Sequence, residues 1–498
     1  MLRLKEEKDP EILRQAALLL EAENGRLIQK NIALTKKLLE LQGADKGQLE
    51  LKLAQLEEQL AQARQRLYGE SSEKRPRPEG AAAVAEERRP QRGHGPRAQP
   101  ELPVVEQLHT LEEPDKTCPS CGGQLAAWEG QVEQSEEVDV VERRFVLVKH
   151  RRQKYRCRCQ GCVETAAAPP KLQEGSRYSV GFAIEVATGK YLDHLPLERQ
   201  VRIMAREGLA VDSQTLWDQI DALAKKLAPA HAALHRYVLG HDVIGADETR
   251  WRLMGAKGDE AKRWQAWAVV AADAVCYRIH DNRSMEAAKE VLGDYRGVVM
   301  ADGYGAYDGL AKRGGGFTVA HCWAHVRRKF VEAEDFFPGP CGEALALIGE
   351  LYLVEKLCPT GPPGDDLRRR LRDERSRDIV RRLQAWSVEA RALPESALGK
   401  AIAYMGGLWK GLTRFLDDPR IPLDNNATER ALRGVVVGRK NHYGSRSRRG
   451  TEVAALFYSL LESAKLTGLD PKQYLRQATL AALRGEAAPL PHELAAKQ

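Results

Sequence analysis

The sequence predicts a multidomain α+β chain, and three observations point that way. A leucine heptad near the start reads as a coiled coil. Two close cysteine pairs read as a zinc module. Beyond them, short apolar runs ending in aspartate alternate with helical patterns, the mark of a sheet domain with helices. At 498 residues the chain exceeds one ordinary core, so several domains are expected. The predicted order is a coiled coil over 1–75, a linker over 76–100, a zinc-binding ribbon over 101–170 and a helix-turn-helix-like domain over 171–240. A sheet domain follows over 241–449 with a helical insertion at about 327–399, and helices and a tail occupy 450–498.

Leu13, Leu20, Leu27, Leu34 and Leu41 recur every seven residues, with Ala17, Asn24, Asn31 and Leu38 at the other seam position. Seam asparagines fix register and favour a parallel dimer at some cost in stability. Gly43 and Gly47 interrupt the pattern, and Leu49, Leu53, Leu56, Leu60 and Leu67 resume it. A long hinged dimer and a hairpin folded on itself both satisfy it. From Arg75 to Pro100 the chain is rich in Pro, Arg, Gly, Ala and Glu without periodicity, which reads as a flexible linker.

Cys118 and Cys121 form one C-x-x-C pair, and Cys159 and Cys162 form another. Four thiolates make a closed tetrahedral zinc site. Cys157 is an alternative to Cys159 in the second pair. The run Phe145 to Val148 reads as a strand of the ribbon. Nine cysteines, several closely paired, fit metal binding in a reducing cytoplasm better than disulfides. No apolar run approaches the roughly 18 residues of a membrane span, and Met1 to Lys8 carries no apolar signal core. The formal charge of +7 is mildly basic, so local clusters carry more information than the total.

A helix opens near His194 and runs towards Gly208, and a second starts with Asp212 or Ser213 as N-cap. Helix, glycine-containing turn and helix make a helix-turn-helix candidate. Many helical hairpins bind no DNA, so this geometry alone assigns nothing.

The sheet domain carries the chemistry. Val243 to Ala246 is an apolar strand that ends at Asp247, and Val298 to Ala301 ends at Asp302 in the same way. Trp264 to Ala271 and Ala274 to Ile279 read as two more strands, and Ser284 to Leu292 as a helix. A sheet that sets the Asp247 strand beside the Asp302 strand brings two carboxylates together. They repel unless a cation lies between them, and a divalent metal is the economical explanation. A third carboxylate, Glu429, sits in the first turns of a helix capped by Asn425 or Asn426. Glu248 and Asp424 are neighbouring acids easily confused with this set.

Gly438 to Arg449 is dense in cations, among them Arg439, Lys440, Arg446, Arg448 and Arg449, and suits a phosphate backbone. His321 and His325, four apart, read as one helix face, able to bind metal with Cys322. The preferred reading turns His325, Arg327 and Arg328 towards substrate phosphate. The stretch from Asp302 to Glu429 is longer than a compact sheet core needs, and its excess is charged, helical and broken by prolines. Two amphipathic helices after Gly450 should pack on the sheet domain.

The strings GADETRW, MADGYGAYDGL, HCWAHVRRKF and LDNNATERALRGVVVGRKN, in this order, resemble the large transposase of the insertion sequence sixty-six family, along nearly the whole chain. The resemblance implies a DDE transposase with a ribonuclease H-like catalytic domain in 241–449. Its triad would fall on Asp247, Asp302 and Glu429, holding Mg²⁺ or Mn²⁺, with structural Zn²⁺ in the cysteine module. It implies cleavage of element ends and joining to target DNA, self-association through the zipper, small companion proteins, and a place in the bacterial cytoplasm at the nucleoid. A nuclease of the same fold that cuts without joining is the nearest rival. A zipper-and-zinc DNA-binding regulator is the rival from another class.

Overall fold

The computed structural model describes residues 26–35, 56, 104, 106, 109–112, 115–127, 143–156, 162–255 and 263–497. The chain divides into one unit of 70–143 and another of 1–69 with 144–498. In the first unit, Thr117 and Gln124 bridge across the turn that carries Cys118 and Cys121. In the second, 26–35 are helical, with Leu27 and Leu34 half exposed and Ile32 buried. The rest of the predicted zipper and the 76–100 linker lie outside the described residues.

The 144–498 segment begins with an antiparallel ribbon of β1 (Lys154–Arg156) and β2 (Val163–Thr165). The strand expected over Phe145 to Val148 does not form. Val146, Leu147 and Val148 are exposed, with no strand beside them among the described residues, so their apolar character is not spent on a sheet.

Three helices follow: α1 (Val180–Tyr191), α2 (Leu197–Arg206) and α3 (Ser213–Leu239). Asp212 caps α3 by accepting from the Thr215 amide at 2.6 Å. The sheet comprises β3 (Val243–Arg250), β4 (Gln265–Val270), β5 (Val275–His280), β6 (Val298–Ala301) and β7 (Thr318–His321), in the order β5-β4-β3-β6-β7. Helix α4 (Met285–Leu292) links β5 to β6, and α5 (Gly305–Lys312) links β6 to β7. The first three strands pair antiparallel, while β6 and β7 run parallel to β3.

Both sheet faces are covered. Val299 and Ala301 of β6 and Val319 of β7 join one core, while their neighbours Met300 and Ala320 join the other. That period-two split is why β6 reads as a continuous apolar run rather than an alternating one. The second core is built from α6 (Trp323–Glu334), α7 (Pro338–Lys356), α8 (Asp365–Leu371), α9 (Arg377–Glu389) and α10 (Ala397–Leu412). The helical stretch therefore starts earlier and ends later than the expected insertion. His321 is the last residue of β7 and His325 belongs to α6, so the two do not share a helix face.

The first core gathers α1, α3, α11 (Asn426–His442), α12 (Arg448–Leu466) and α13 (Pro471–Leu483) on the sheet, and the short α14 (Pro491–Ala495) closes the chain. Helix α12 covers the edge strand β5. Ser463 Oγ accepts from the Val275 amide and donates to its carbonyl, both at 2.9 Å, and Ser459 Oγ accepts from the Tyr277 amide at 2.8 Å. Those hydroxyls satisfy backbone groups that an open sheet edge would leave unpaired.

Candidate active site

Asp247 lies in β3, and the parallel register pairs Gly245 with Met300. Carried two residues on, that register sets Asp247 beside Asp302, just past the end of β6. The turn after β6 is tied by Asp302 itself, whose Oδ1 accepts from the Tyr304 amide at 2.8 Å. Asp247 Oδ1 likewise accepts from the Glu248 amide at 2.8 Å.

Glu429 arrives from the other side on the first turn of α11. The helix can approach because β3 carries glycine at 245. A Cβ there would lie 2.0 Å from Thr428 Oγ1. Asn425 is buried just before the helix; its backbone amide donates to Cys322 Sγ at 3.2 Å and its side-chain amide to the Ala246 carbonyl at 3.4 Å. The helix start is thereby fastened both to β3 and to the turn after β7.

The electrostatics follow from this convergence. The Asp247 carboxyl is pushed up to about 7, first by burial and then by the charges of Asp302, Glu248 and, more weakly, Glu429. Glu248 has other commitments: it pairs with Arg283 and accepts from the Tyr307 hydroxyl at 3.0 Å. Asp424 accepts from the Asn426 amide at 3.0 Å and from its side chain at 2.7 Å, a helix-entry role. Asp302 and Glu429 are the acids besides Glu248 whose charges reach Asp247. Among the described residues no three His, Cys, Asp or Glu side chains are drawn together closely enough to grip an ion as they stand.

His325 Nε2 lies 3.5 Å from Glu429 Oε1, at the edge of this cluster. His321 turns away to Asp308 at 3.4 Å, and burial pushes the Cys322 thiol up to about 11. The three residues of this string thus face three different partners rather than one ion.

The cations separate into two groups. Arg439 folds inward, donating to Thr249 Oγ1 at 3.2 Å and to the Arg250 carbonyl, and Arg449 bridges Asp221 at 2.7 Å and Glu452 at 2.8 Å. Arg448 rests over the Trp264 ring at 5.6 Å. Arg327, Arg328, Lys440 and Arg446 are exposed. So are Arg430 and Arg433, which share the outer face of α11 with Lys440 and which the sequence reading passed over. Their spacing of three and seven was the available signal.

In the cysteine unit, the Cys118 amide donates to the Gly123 carbonyl at 2.8 Å, closing a tight turn. Backbone N–H groups of Ser120 and Cys121 pull the Cys118 thiol below its usual value, which favours a thiolate ligand. Cys162, which belongs to the other unit, is exposed, with Sγ 3.7 Å from Glu164 Oε1. Cys157 and Cys159 lie outside the described residues.

Comparison with known proteins adds identity to this geometry. Residues 115–160 match the zinc-finger binding domain of transposase IS66. That span includes Cys118, Cys121, Cys157 and Cys159 and stops short of Cys162. The uncharacterized protein y4jD of Sinorhizobium fredii (strain NBRC 101917 / NGR234) is 32% identical over 383 residues, covering 73% of this chain and 74% of its own. The uncharacterized protein y4hP of the same strain is 27% identical over 474 residues, covering 89% and 84%. Residues 175–453, spanning the sheet, the intervening helices and Asp247, Asp302 and Glu429, match the model described as Transposase IS66 family, and the chain belongs to that family.

Proposed function

We propose that this transposase cuts the ends of its element and joins them to target DNA by phosphoryl transfer at Asp247, Asp302 and Glu429. The observation that carries the reading is the approach of those three acids, from β3, the end of β6 and the first turn of α11, with Asp247 pushed up first by burial and then by its neighbours' charges. A mixed sheet with its acids at the seam between β3 and β6 also supports a ribonuclease H-like catalytic domain.

The three carboxylates offer hard oxygen donors and would hold two Mg²⁺ or Mn²⁺ ions, which supply an activated water and a stabilised leaving oxygen for in-line displacement at phosphorus. In the first step a phosphodiester at the element end is hydrolysed and a 3′ hydroxyl is freed. In the second that hydroxyl attacks a target phosphodiester and displaces a 3′ oxygen of the target. His325 contacts Glu429 and holds its carboxylate at the cluster. Arg327 and Arg328 flank it with positive charge for the scissile strand. Arg430, Arg433 and Lys440 extend along α11 for about 15 Å, a track for duplex phosphates leading away from Glu429. Cys118 and Cys121, with two of Cys157, Cys159 and Cys162, would hold a structural Zn²⁺. Pairing of two chains through the N-terminal heptads would bring two active sites to two ends.

Purified protein incubated with labelled end DNA, a target plasmid and Mg²⁺ tests this. Nicking and joined product, both absent with EDTA and in Asp302→Ala, are expected. Nicking that never proceeds to joining, even with the element's other proteins added, would favour a nuclease. Undiminished products from Asp302→Ala would remove Asp302 from the site.

A further inference from the structure

Helix α10 belongs to the helical stretch between the second and third acids, more than a hundred residues from Asp247 in the sequence, yet it touches the turn that carries Asp302. The Tyr404 hydroxyl donates to the main-chain carbonyl of Asp302 at 2.8 Å. The next residue, Gly303, has φ +99°, a conformation that side chains rarely adopt. A Cβ placed there would lie 2.9 Å from Leu408 Cδ1 and 3.0 Å from the Tyr404 hydroxyl. Tyr404 and Leu408, one helical turn apart, therefore close over a turn that only glycine fits.

The helix is itself held rigidly. The Trp323 indole N–H donates to the Leu412 carbonyl at 2.9 Å, and Trp323 meets Trp409 edge to face at 6.2 Å. At Gly411 a Cβ would lie 2.3 Å from the His321 ring, so α10 lies directly on the end of β7. Trp323 opens α6, the helix that also carries His325 against Glu429. The α6–α10 pair thus touches two of the three acids from outside the sheet.

We propose that Tyr404 is a positioning residue: its hydrogen bond to the Asp302 carbonyl, with Leu408 packed over Gly303, holds the turn from which the Asp302 carboxylate would reach a divalent cation. Through it the inserted helices set the geometry of the site rather than merely decorate the fold. The inference rests on the assignment of Asp302 as a metal-binding carboxylate. Outer groups that orient ligands typically change metal affinity by about tenfold or more.

The full-length protein, titrated with Mn²⁺ and followed by electron paramagnetic resonance of the free ion, provides a readout independent of turnover. Asp302→Ala should lose a bound Mn²⁺; if it binds as the wild type does, the site assignment itself fails. Given that loss, Tyr404→Phe should bind about tenfold more weakly, and cleavage by this variant should recover as Mn²⁺ is raised. Leu408→Ala, with the hydroxyl intact, should shift in the same direction by less. Wild-type Mn²⁺ affinity in both variants overturns the proposal. So does a loss of cleavage that excess Mn²⁺ does not restore, because that pattern is a general structural defect.

Discussion

Two charge clusters in this chain are built on opposite plans. Arg372, in the single π-helical turn Arg372–Ser376 between α8 and α9, is almost wholly buried. Its guanidinium makes a two-pronged pair with Glu355 at 2.7 and 2.9 Å and also donates to the carbonyls of Phe415, Asp418 and Ile421. Every donor it turns inward has an acceptor, as a buried charge demands. Asp247 is in the reverse position, half-buried beside further negative charge, and the cation next to its neighbour Glu248, Arg283, is committed to that residue. A cluster with its counter-charge built in holds helices together; one without it favours the protonated carboxyl, as the upward shift of Asp247 shows.

The sharpest way to break that contrast is to neutralise one acid. Asp247→Asn should lower cleavage on the order of 10⁴-fold, the scale seen when one member of a cooperating set is removed. It should also leave the thermal midpoint unchanged or raised, because the substitution relieves repulsion. A fall in both activity and midpoint would mean that Asp247 is structural. At Arg372 the opposite is expected. Arg372→Met leaves Glu355 with Arg368 alone, strands three carbonyls and should cost about 3 kcal/mol in denaturant unfolding. Glu355→Gln added to it should recover part of that loss. The loop pinned by Arg372 leads to Asn425, so cleavage should fall with stability and not ahead of it.

A second contrast lies in the histidines that the fold buries uncharged. His231 on α3 is held down to about 4, first by burial and then by the nearby Arg278 charge, and it contacts Ser459 Oγ and the Tyr277 carbonyl, each at 3.2 Å. His442 is held down to about 3, first by burial and then by Lys190. The unfolded chain takes up their protons near pH 6.5, and the folded chain resists until far lower. Stability is therefore complete above pH 6.5 and is lost as pH falls towards 4, by about 3 kcal/mol for a group such as His231. Urea midpoints at pH 7.5 and 4.5 should show the fall, and His231→Gln should flatten it. An equal fall in the variant would place the acid sensitivity elsewhere.

The sequence displayed the parts of this site that are local. An apolar run ending in aspartate, twice, shows both strand and carboxylate, and Asn425 followed by a helical pattern shows where α11 starts. The pairing of β3 with β6 came from the physical demand that two such acids share a cation. What stayed hidden was direction and distance. The four residues of β7 are too short to separate from the helix that follows, so His321 and His325 read as one face when they sit on two elements. Tyr404 lies in a helix with no local mark of a role at Asp302. The exposed run Val146 to Val148 has strand-forming residues but no strand beside it among the described residues, and composition alone does not supply one.

The same loss of direction governs the cations near Glu429, and it sets the smallest of the expected effects. Density of charge pointed to residues 439–449, yet Arg439 and Arg449 turn inward to Thr249, Asp221 and Glu452, while Arg430 and Arg433 stand exposed on the outer face of α11. Each phosphate contact releases counterions, so losing one lowers the slope of log affinity against log salt by about one. Arg430→Ala with Arg433→Ala should reduce that slope by about two on end DNA and on unrelated duplex alike, with stability unchanged. Arg449→Ala should leave the slope alone and cost about 0.5 kcal/mol, the scale of a partly exposed ion pair. Fluorescence anisotropy over a range of salt concentrations separates the two. The reverse pattern would mean that the segment after α11 opens on DNA and releases Arg449 from Asp221, so that the inward arginines serve the bound state and the outward ones only solvent.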